Sequence, residues 1–181
     1  DGAFYGPKLD FHLSDAIGRT WQCGTIQLDY QLPGRFNLEY TGADGKKYCP
    51  VMIHRVVFGS IERFIGVITE HFAGKFPVWL APVQATVMTL PGTDTAYASG
   101  VFEALRNAGI RAELDDRNEK IGYKIREARQ VNRIPYMLII GQNEIDNGVI
   151  SVRDRDTDQT ATLSLDAFIA DIQQKIASRS R

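Results

Sequence analysis

The sequence predicts an α+β unit followed by a small α/β unit, and three observations predict it. Runs of alternating apolar and polar residues broken by glycine-bearing turns fill the first 58 residues, the mark of antiparallel hairpins. Ile61, Phe64, Ile65, Ile68 and Phe72 then fall at i, i+3, i+4, i+7 and i+11, one apolar stripe of a helix over 60–73. Beyond residue 77 apolar runs alternate with helical stripes in the order β-α-β-α-β-β-α, a small mixed sheet with crossover helices. The expected boundary separates 1–76 from 77–181.

Residues 1–8 form a loop by their Gly and Pro content. Leu9, Phe11 and Leu13 alternate with Asp10, His12 and Ser14, a half-buried strand, and 15–18 turn the chain. Residues 19–30 make the return strand. Strict alternation puts Gln22, Gly24, Ile26 and Leu28 on one face and Trp21, Cys23, Thr25, Gln27 and Asp29 on the other, so neither face is cleanly apolar. Such a strand is poor core and good lining for a binding surface. After a turn at 32–35, residues 36–40 and 47–54 form a second hairpin across 41–45. Gly59 allows a tight turn and Ser60 is a good N-cap for the helix that follows. Gly74 and Pro77 stop that helix. In the second unit, strands are expected at 79–90, 110–114, 136–140 and 148–152, and helices at 95–108, 122–131 and 165–177.

Composition narrows the class. The chain has 181 residues, 44% hydrophobic and 24% charged, as in a soluble globular protein. No apolar run approaches the roughly 20 residues that span a bilayer, and no signal peptide opens the chain, so no membrane partner is expected. The chain lacks an initiator Met, which suggests a piece of something longer, a processed protein, or one whose start has been removed. Cys23 and Cys49 lie in different segments without a C-x-x-C pair, which suits a reducing cytoplasm. A net charge of −1 gives no global pull toward nucleic acid.

Two local features carry chemistry, each with two readings. The strand-turn-helix over 51–63 places Arg55, Ser60 and Arg63 near a helix N-terminus, which fits either a phosphorylated ligand or a salt-bridged turn. Residues 117–133 hold Arg117, Lys120, Lys124, Arg126, Arg129 and Arg133 against Glu119 and Glu127. Arg126, Arg129 and Arg133 share a helix face at i, i+3 and i+7, and Asn118 offers an amide for base edges. The segment is either a single-stranded RNA surface or a solvated amphipathic helix.

Four long motifs resemble the threonyl-tRNA synthetase family in order and spacing. They are Asp1-Gly-Ala-Phe-Tyr-Gly-Pro-Lys8, Trp21-Gln-Cys-Gly-Thr-Ile-Gln-Leu-Asp29, Pro50-Val-Met-Ile-His-Arg55 with Gly59-Ser-Ile-Glu-Arg63, and Arg117-Asn-Glu-Lys-Ile-Gly-Tyr-Lys-Ile-Arg126 followed by Arg133-Ile-Pro-Tyr-Met137. The His54 to Arg63 block is similar to motif 3 of class II aminoacyl-tRNA synthetases. The last 100 or so residues are similar to the anticodon-binding domain of the threonyl, prolyl, histidyl and glycyl enzymes.

The resemblance implies a fold, an activity and a site. The fold is part of the class II antiparallel sheet with its motif 3 helix, then the anticodon domain. The activity is that of a threonine–tRNA ligase using ATP with Mg²⁺ and one zinc ion, acting on threonine and its tRNA as a homodimer. Arg63 would hold ATP, and Lys8 would act beside it. Tyr5, Gln22, Cys23, Thr25, Gln27 and Ser60 would line the ATP and threonine pocket. His54 would be one of three zinc ligands, the others lying upstream. A metal that takes the threonine hydroxyl rejects valine, which an apolar pocket separates only weakly. Asn118, Lys120, Arg126, Glu144 and Arg153 would contact the anticodon. The 181 residues alone are expected to be inactive as a ligase; the alternative is a module that only binds RNA. The His54 and Gln22-Cys-Gly-Thr25 motifs disfavour a prolyl or histidyl relative. Asp1 departs from a common Glu, and residues 155–160 replace a more basic stretch.

Overall fold

The computed structural model describes residues 3–180. Asp1, Gly2 and Arg181 lie outside the described residues, and with them the reading of Asp1 as a departure from Glu. The chain divides into two compact units, Asp1–His71 and Phe72–Arg181.

In the first unit β1 (Lys8–Ser14) and β2 (Thr20–Asp29) form the expected hairpin. The turn at 32–35 is a single helical turn, α1 (Leu32–Arg35), started by Pro33. The second hairpin is shorter than alternation suggested. β3 (Tyr40–Thr41) and β4 (Lys47–Tyr48) pair as a separate two-stranded ribbon. The chain then breaks at Pro50, which has no N–H for a ladder, and residues 52–56 leave as β5 (Met52–Val56) to pair with β2. The sheet order is β1-β2-β5, all antiparallel. α2 (Ile61–His71) follows, with the Ser60 Oγ accepting from the Arg63 amide.

A β-bulge corrects the two-faced reading of β2. Phe11 pairs with Gly24 and His12 with Gln22, so Cys23 is an extra residue on β2 and the alternation changes phase there. Gln22 thereby joins Thr25, Gln27 and Asp29 on one side, while Trp21 joins Gly24, Ile26 and Leu28 on the other. Register partners extend both faces: Lys8, Asp10, His12 and His54 on the polar side, Leu9, Phe11, Leu13 and Ile53 on the apolar side. The bulge turns a strand that looked mixed into one polar and one apolar face. β1 is exposed along its whole length instead of half-buried, with Phe11 at 54% and Leu9 at 65% exposure. On the apolar face Leu9, Phe11 and Ile53 stay exposed while Leu13 shares a hollow with Phe64, Val67 and Ile68 of α2, and among the described residues of the unit Cys23 is the one buried hydrophobic side chain besides Pro33.

The second unit is a five-stranded mixed sheet of order β10-β9-β8-β6-β7. β6 (Ala85–Thr89) begins later than the expected strand at 79–90, because Pro82 interrupts the ladder. α3 (Thr95–Asn107) crosses to the parallel strand β7 (Ala112–Asp115). α4 (Ile121–Arg126) continues into a π-helical turn (Glu127–Val131) before β8 (Tyr136–Ile140), parallel to β6. α5 (Gln142–Asn147) and the fifth strand, β10 (Thr160–Leu163), were not anticipated; with β9 (Ile150–Asp154) and α6 (Leu165–Ser178) they complete the unit. α3 and α6 cover one face, where Val101, Leu105, Phe168 and Ile172 bury against Val87, Leu138 and Ile150. On the other face, Ala128 and Ile134 pack against Met88 and Met137, with Ile121 and Ile125 beside them. Both cysteines are free, and no helix among the described residues is long and apolar enough to cross a membrane.

Lys124 is 1% exposed and points into this second unit. Its Nζ donates to the carbonyls of Thr89 (3.0 Å) and Asp115 (2.9 Å), the last residues of β6 and β7. The buried ammonium replaces the ladder bonds those carbonyls lack and fixes where both following loops depart. Lys124→Met, which keeps the volume and removes the donors, is expected to lower stability by about 2–3 kcal/mol in urea unfolding.

Candidate functional site

An open cleft of about 640 Å³ over the polar face of the β1-β2-β5 sheet is lined by Tyr5, Lys8, Thr25, Gln27 and His54, with Ile53, Arg55 and Val56 along the β5 edge. Register brings these residues together from distant positions, since Lys8 pairs with Gln27 and Gln27 with His54. Asp10 sits at the rim. Its carboxylate pairs with Lys8 at 2.8 Å and accepts from Thr25 Oγ1 and Gln22 Nε2, each at 2.7 Å. The Lys8 bond, with the Thr25 hydroxyl next, holds the Asp10 carboxyl below its ordinary value. Gln27 is buried, and its amide nitrogen has no hydrogen-bond partner among the described residues, a donor left for a ligand.

His54 is held by a residue whose role the motif reading left unassigned. Asp29 is fully buried on the same polar face, and its Oδ2 lies 2.9 Å from His54 Nε2. The other oxygen accepts from the amides of Gln31 and Leu32 at the start of α1. Burial pushes the Asp29 carboxyl up, but the Leu32 amide, His54 and the Gln31 amide outweigh it, so it stays below its ordinary value. A carboxylate on one ring nitrogen orients the imidazole and leaves Nδ1 for another partner. Placement of Asp29 two residues from Gln27 was the available signal; its pairing with His54 needed the β2–β5 register.

The remaining motif residues stand at the start of α2. Gly59 has φ +65, and a Cβ there would lie 2.8 Å from the Cys23 carbonyl, so the turn requires glycine against the bulge. Cys23 is buried beneath that turn and does not line the cleft. Ser60 caps the helix and donates to Glu62. Arg63 is exposed and reaches the Gln22 carbonyl at 3.4 Å. Among the described residues neither Arg55 nor Arg63 has an ion-pair partner within 4.0 Å, so the salt-bridged-turn reading fails and both cations stay available.

In the second unit the structure thins the local charge. Arg117 is pinned between Asp115 (2.7 Å) and Glu127 (2.5 Å), Lys124 is buried, and Arg129 pairs with Asp158 (2.8 Å). The π-helical turn breaks the i, i+3, i+7 alignment, so Arg126, Arg129 and Arg133 do not share one face: Arg129 turns inward to the Arg155 carbonyl. Asn118, Lys120 and Arg126 remain exposed, the first two in the loop after β7. Glu144 lies after β8 at the same sheet end; its carboxylate accepts from the Gly141 amide and the Ser151 hydroxyl, which builds the start of α5. Arg153 lies on the α4 side of β9, pairs with Met137 in register, and binds Asp158 at 2.7 Å.

Residues 1–72 match the tRNA synthetase class II core domain (G, H, P, S and T), and residues 78–175 match the anticodon binding domain. The threonine–tRNA ligase of Caldanaerobacter subterraneus subsp. tengcongensis is 60% identical over 99% of this chain, and that of Clostridium acetobutylicum is 59% identical over 98%. In both cases the chain spans 28% of the relative's length. Among solved structures, the RNA binding domain of threonyl-tRNA synthetase from Cryptosporidium parvum Iowa II superposes with a TM-score of 0.86 at 44% identity, over 96% of this chain and 44% of that one. A prolyl-tRNA synthetase from Cryptosporidium parvum, at 22% identity and a TM-score of 0.68 over 99% of this chain and 40% of that one, shares the fold. Fold and matched regions define a class II synthetase core segment joined to an anticodon-binding domain. Within that class, the chain belongs to the threonyl-tRNA synthetase family.

Beneath the β7 loop, burial followed by the nearby Asp115 charge raises the Glu113 carboxyl above its ordinary 4.5. A carboxyl raised on folding favours the native state below its unfolded value and loses that contribution as pH rises through the folded value. Glu113→Gln is therefore expected to raise the urea midpoint at pH 7 relative to the parent, with the gain shrinking toward pH 4; a constant difference across that range would contradict it.

Proposed function

We propose that this chain is part of a threonine–tRNA ligase, in which residues 1–76 contribute one side of the ATP and threonine site and residues 77–181 read the anticodon. The observation that carries this reading is the pairing, in one chain, of a polar sheet face next to two uncommitted arginines with an anticodon-binding domain whose Asn118, Lys120 and Arg126 stay exposed. In this reading Arg63, at the N-terminal end of α2, takes ATP phosphate or the adenine face. Lys8 and Tyr5 close on the adenylate. Gln22, Thr25, Gln27 and Ser60 orient the substrates, and Cys23 serves by shaping β2. With no nucleophile-base pair among the described residues of the cleft, these residues act by positioning and charge stabilisation.

Zinc fits His54 as a single ligand, because the buried Asp29 orients its ring and leaves one nitrogen open. Among the described residues no three His, Cys, Asp or Glu side chains gather to hold a metal, so the remaining ligands would come from elsewhere in the full enzyme. Bound there, zinc would supply coordination of the threonine amino and hydroxyl groups, and Mg²⁺ would accompany ATP. A homodimer and a cytoplasmic setting belong to the same proposal.

Two measurements test the reading. A short RNA hairpin carrying a threonine anticodon should bind the 181-residue chain, and Asn118→Ala should weaken binding about tenfold by removing a base-edge contact. Threonine-dependent ATP–pyrophosphate exchange should appear in the full-length enzyme, fall by at least about 100-fold on Arg63→Ala, and be absent from the 181 residues alone. Hairpin binding without any exchange by the full-length enzyme would instead favour a module that only binds RNA.

A further inference from the structure

A second cationic site lies at the opposite end of the five-stranded sheet from Asn118, Lys120 and Glu144. It is organised by Arg155, which follows β9 and whose side chain is 4% exposed. One guanidinium nitrogen donates to the carbonyls of Phe76 (3.1 Å) and Arg133 (2.7 Å), and the other two bind Asp156 at 2.8 and 3.0 Å. This clamp holds the chain at 75–76 beside Arg133, two residues after the π-helical turn. Lys75 and Arg133 are thereby brought to one pocket of about 240 Å³, walled also by Arg129 and Gln130.

Three features of the pocket point to an anion. Four of its lining residues are cationic and the one carboxylate, Asp156, already has both oxygens on Arg155. The Lys75 and Arg133 side chains have no ion-pair or hydrogen-bond partner among the described residues, so two free like charges are held together. Arg133 also sits at φ +57, a conformation that costs an arginine energy, two residues after the π-helical turn. The volume admits a tetrahedral oxyanion. Arg129 and Arg153 share Asp158 and continue the cationic surface along the α4 side of the sheet.

We propose that the pocket between Lys75, Arg129, Arg133 and Arg155 binds a phosphate group, and that in the working molecule this is a backbone phosphate of RNA gripped at the end of the domain away from the base-reading loop. The proposal rests on the RNA-binding reading only for the source of the phosphate; the pocket's affinity for phosphate stands apart from it.

Two arms separate these points in the 181-residue chain. In the first, binding of the anticodon hairpin is followed by fluorescence anisotropy across a KCl series. Lys75→Gln/Arg133→Gln is expected to weaken binding at least tenfold and to reduce the salt slope by about 1, the share of the one phosphate no longer gripped. Asn118→Ala, which removes a neutral contact, should lower affinity without changing the slope. In the second, inorganic phosphate is titrated and amide resonances at 130–134 and 155–156 are followed by NMR. They should shift in the parent chain and stay still in the double variant. Phosphate shifts with an unchanged salt slope would overturn the RNA source and leave a free-phosphate site. No phosphate shifts and an unchanged slope would overturn the proposal. If the parent chain fails to bind the hairpin, the anticodon reading falls and the phosphate titration alone decides the pocket. Lys75→Gln alone, at an exposed side chain, serves if the double variant loses stability, with half the slope change expected.

Discussion

A buried backbone carbonyl or amide must find a partner, and in this chain charged side chains meet that demand wherever regular structure runs out. Lys124 satisfies the ends of β6 and β7. Arg155 satisfies the carbonyls of Phe76 and Arg133. Asp29 takes the two amides that open α1, and Glu144 takes the amide of Gly141. Each clamp sits beside a residue proposed to bind: Asp29 beside His54, Glu144 and Lys124 beside the loops after β6, β7 and β8, Arg155 beside Lys75 and Arg133. Charges spent on the backbone set the geometry, and other charged side chains beside them are left without a partner.

That division explains why counting basic residues overstates the RNA surface. Of the six cations over 117–133, Lys124 is buried, while Arg117 and Arg129 are neutralised by carboxylates. Lys120, Arg126 and Arg133 remain, and the π-helical turn sends the last of these to the far end of the sheet. The uncommitted positive charge of this segment therefore lies in two smaller groups, separated along one domain, instead of in one stripe.

The first unit shows the same logic with a bulge. One extra residue, Cys23, changes the phase of β2 and collects Gln22, Thr25 and Gln27 on the side that already holds Lys8, Asp10 and His54. Gly59 packs against the bulge carbonyl, so the turn that launches α2 and the strand that carries the polar groups are positioned by the same backbone irregularity. A regular strand would place Gln22 on the opposite face from the rest of the cleft.

Local sequence determined much of this molecule. The stripe of 60–73, the Ser60 cap, the glycine stops at 74 and 109, and the α3, β8 and α6 segments are set by interactions within a few residues, and they stand where periodicity put them. The motif residues were also legible, because Tyr5, Lys8, Thr25, Gln27 and His54 follow a recognisable pattern. Tertiary structure alone decided what depends on pairing between distant strands. Period-two alternation assumes an unbroken ladder, so the bulge at Cys23 and the early loss of β4 at Pro50 were invisible to it. Helical wheels assume 3.6 residues per turn, so the π-helical turn escaped them. The Asp29–His54 pair and the Arg155 clamp join residues 22 and more positions apart, and no local rule reports a hydrogen bond that exists only once a register has been chosen.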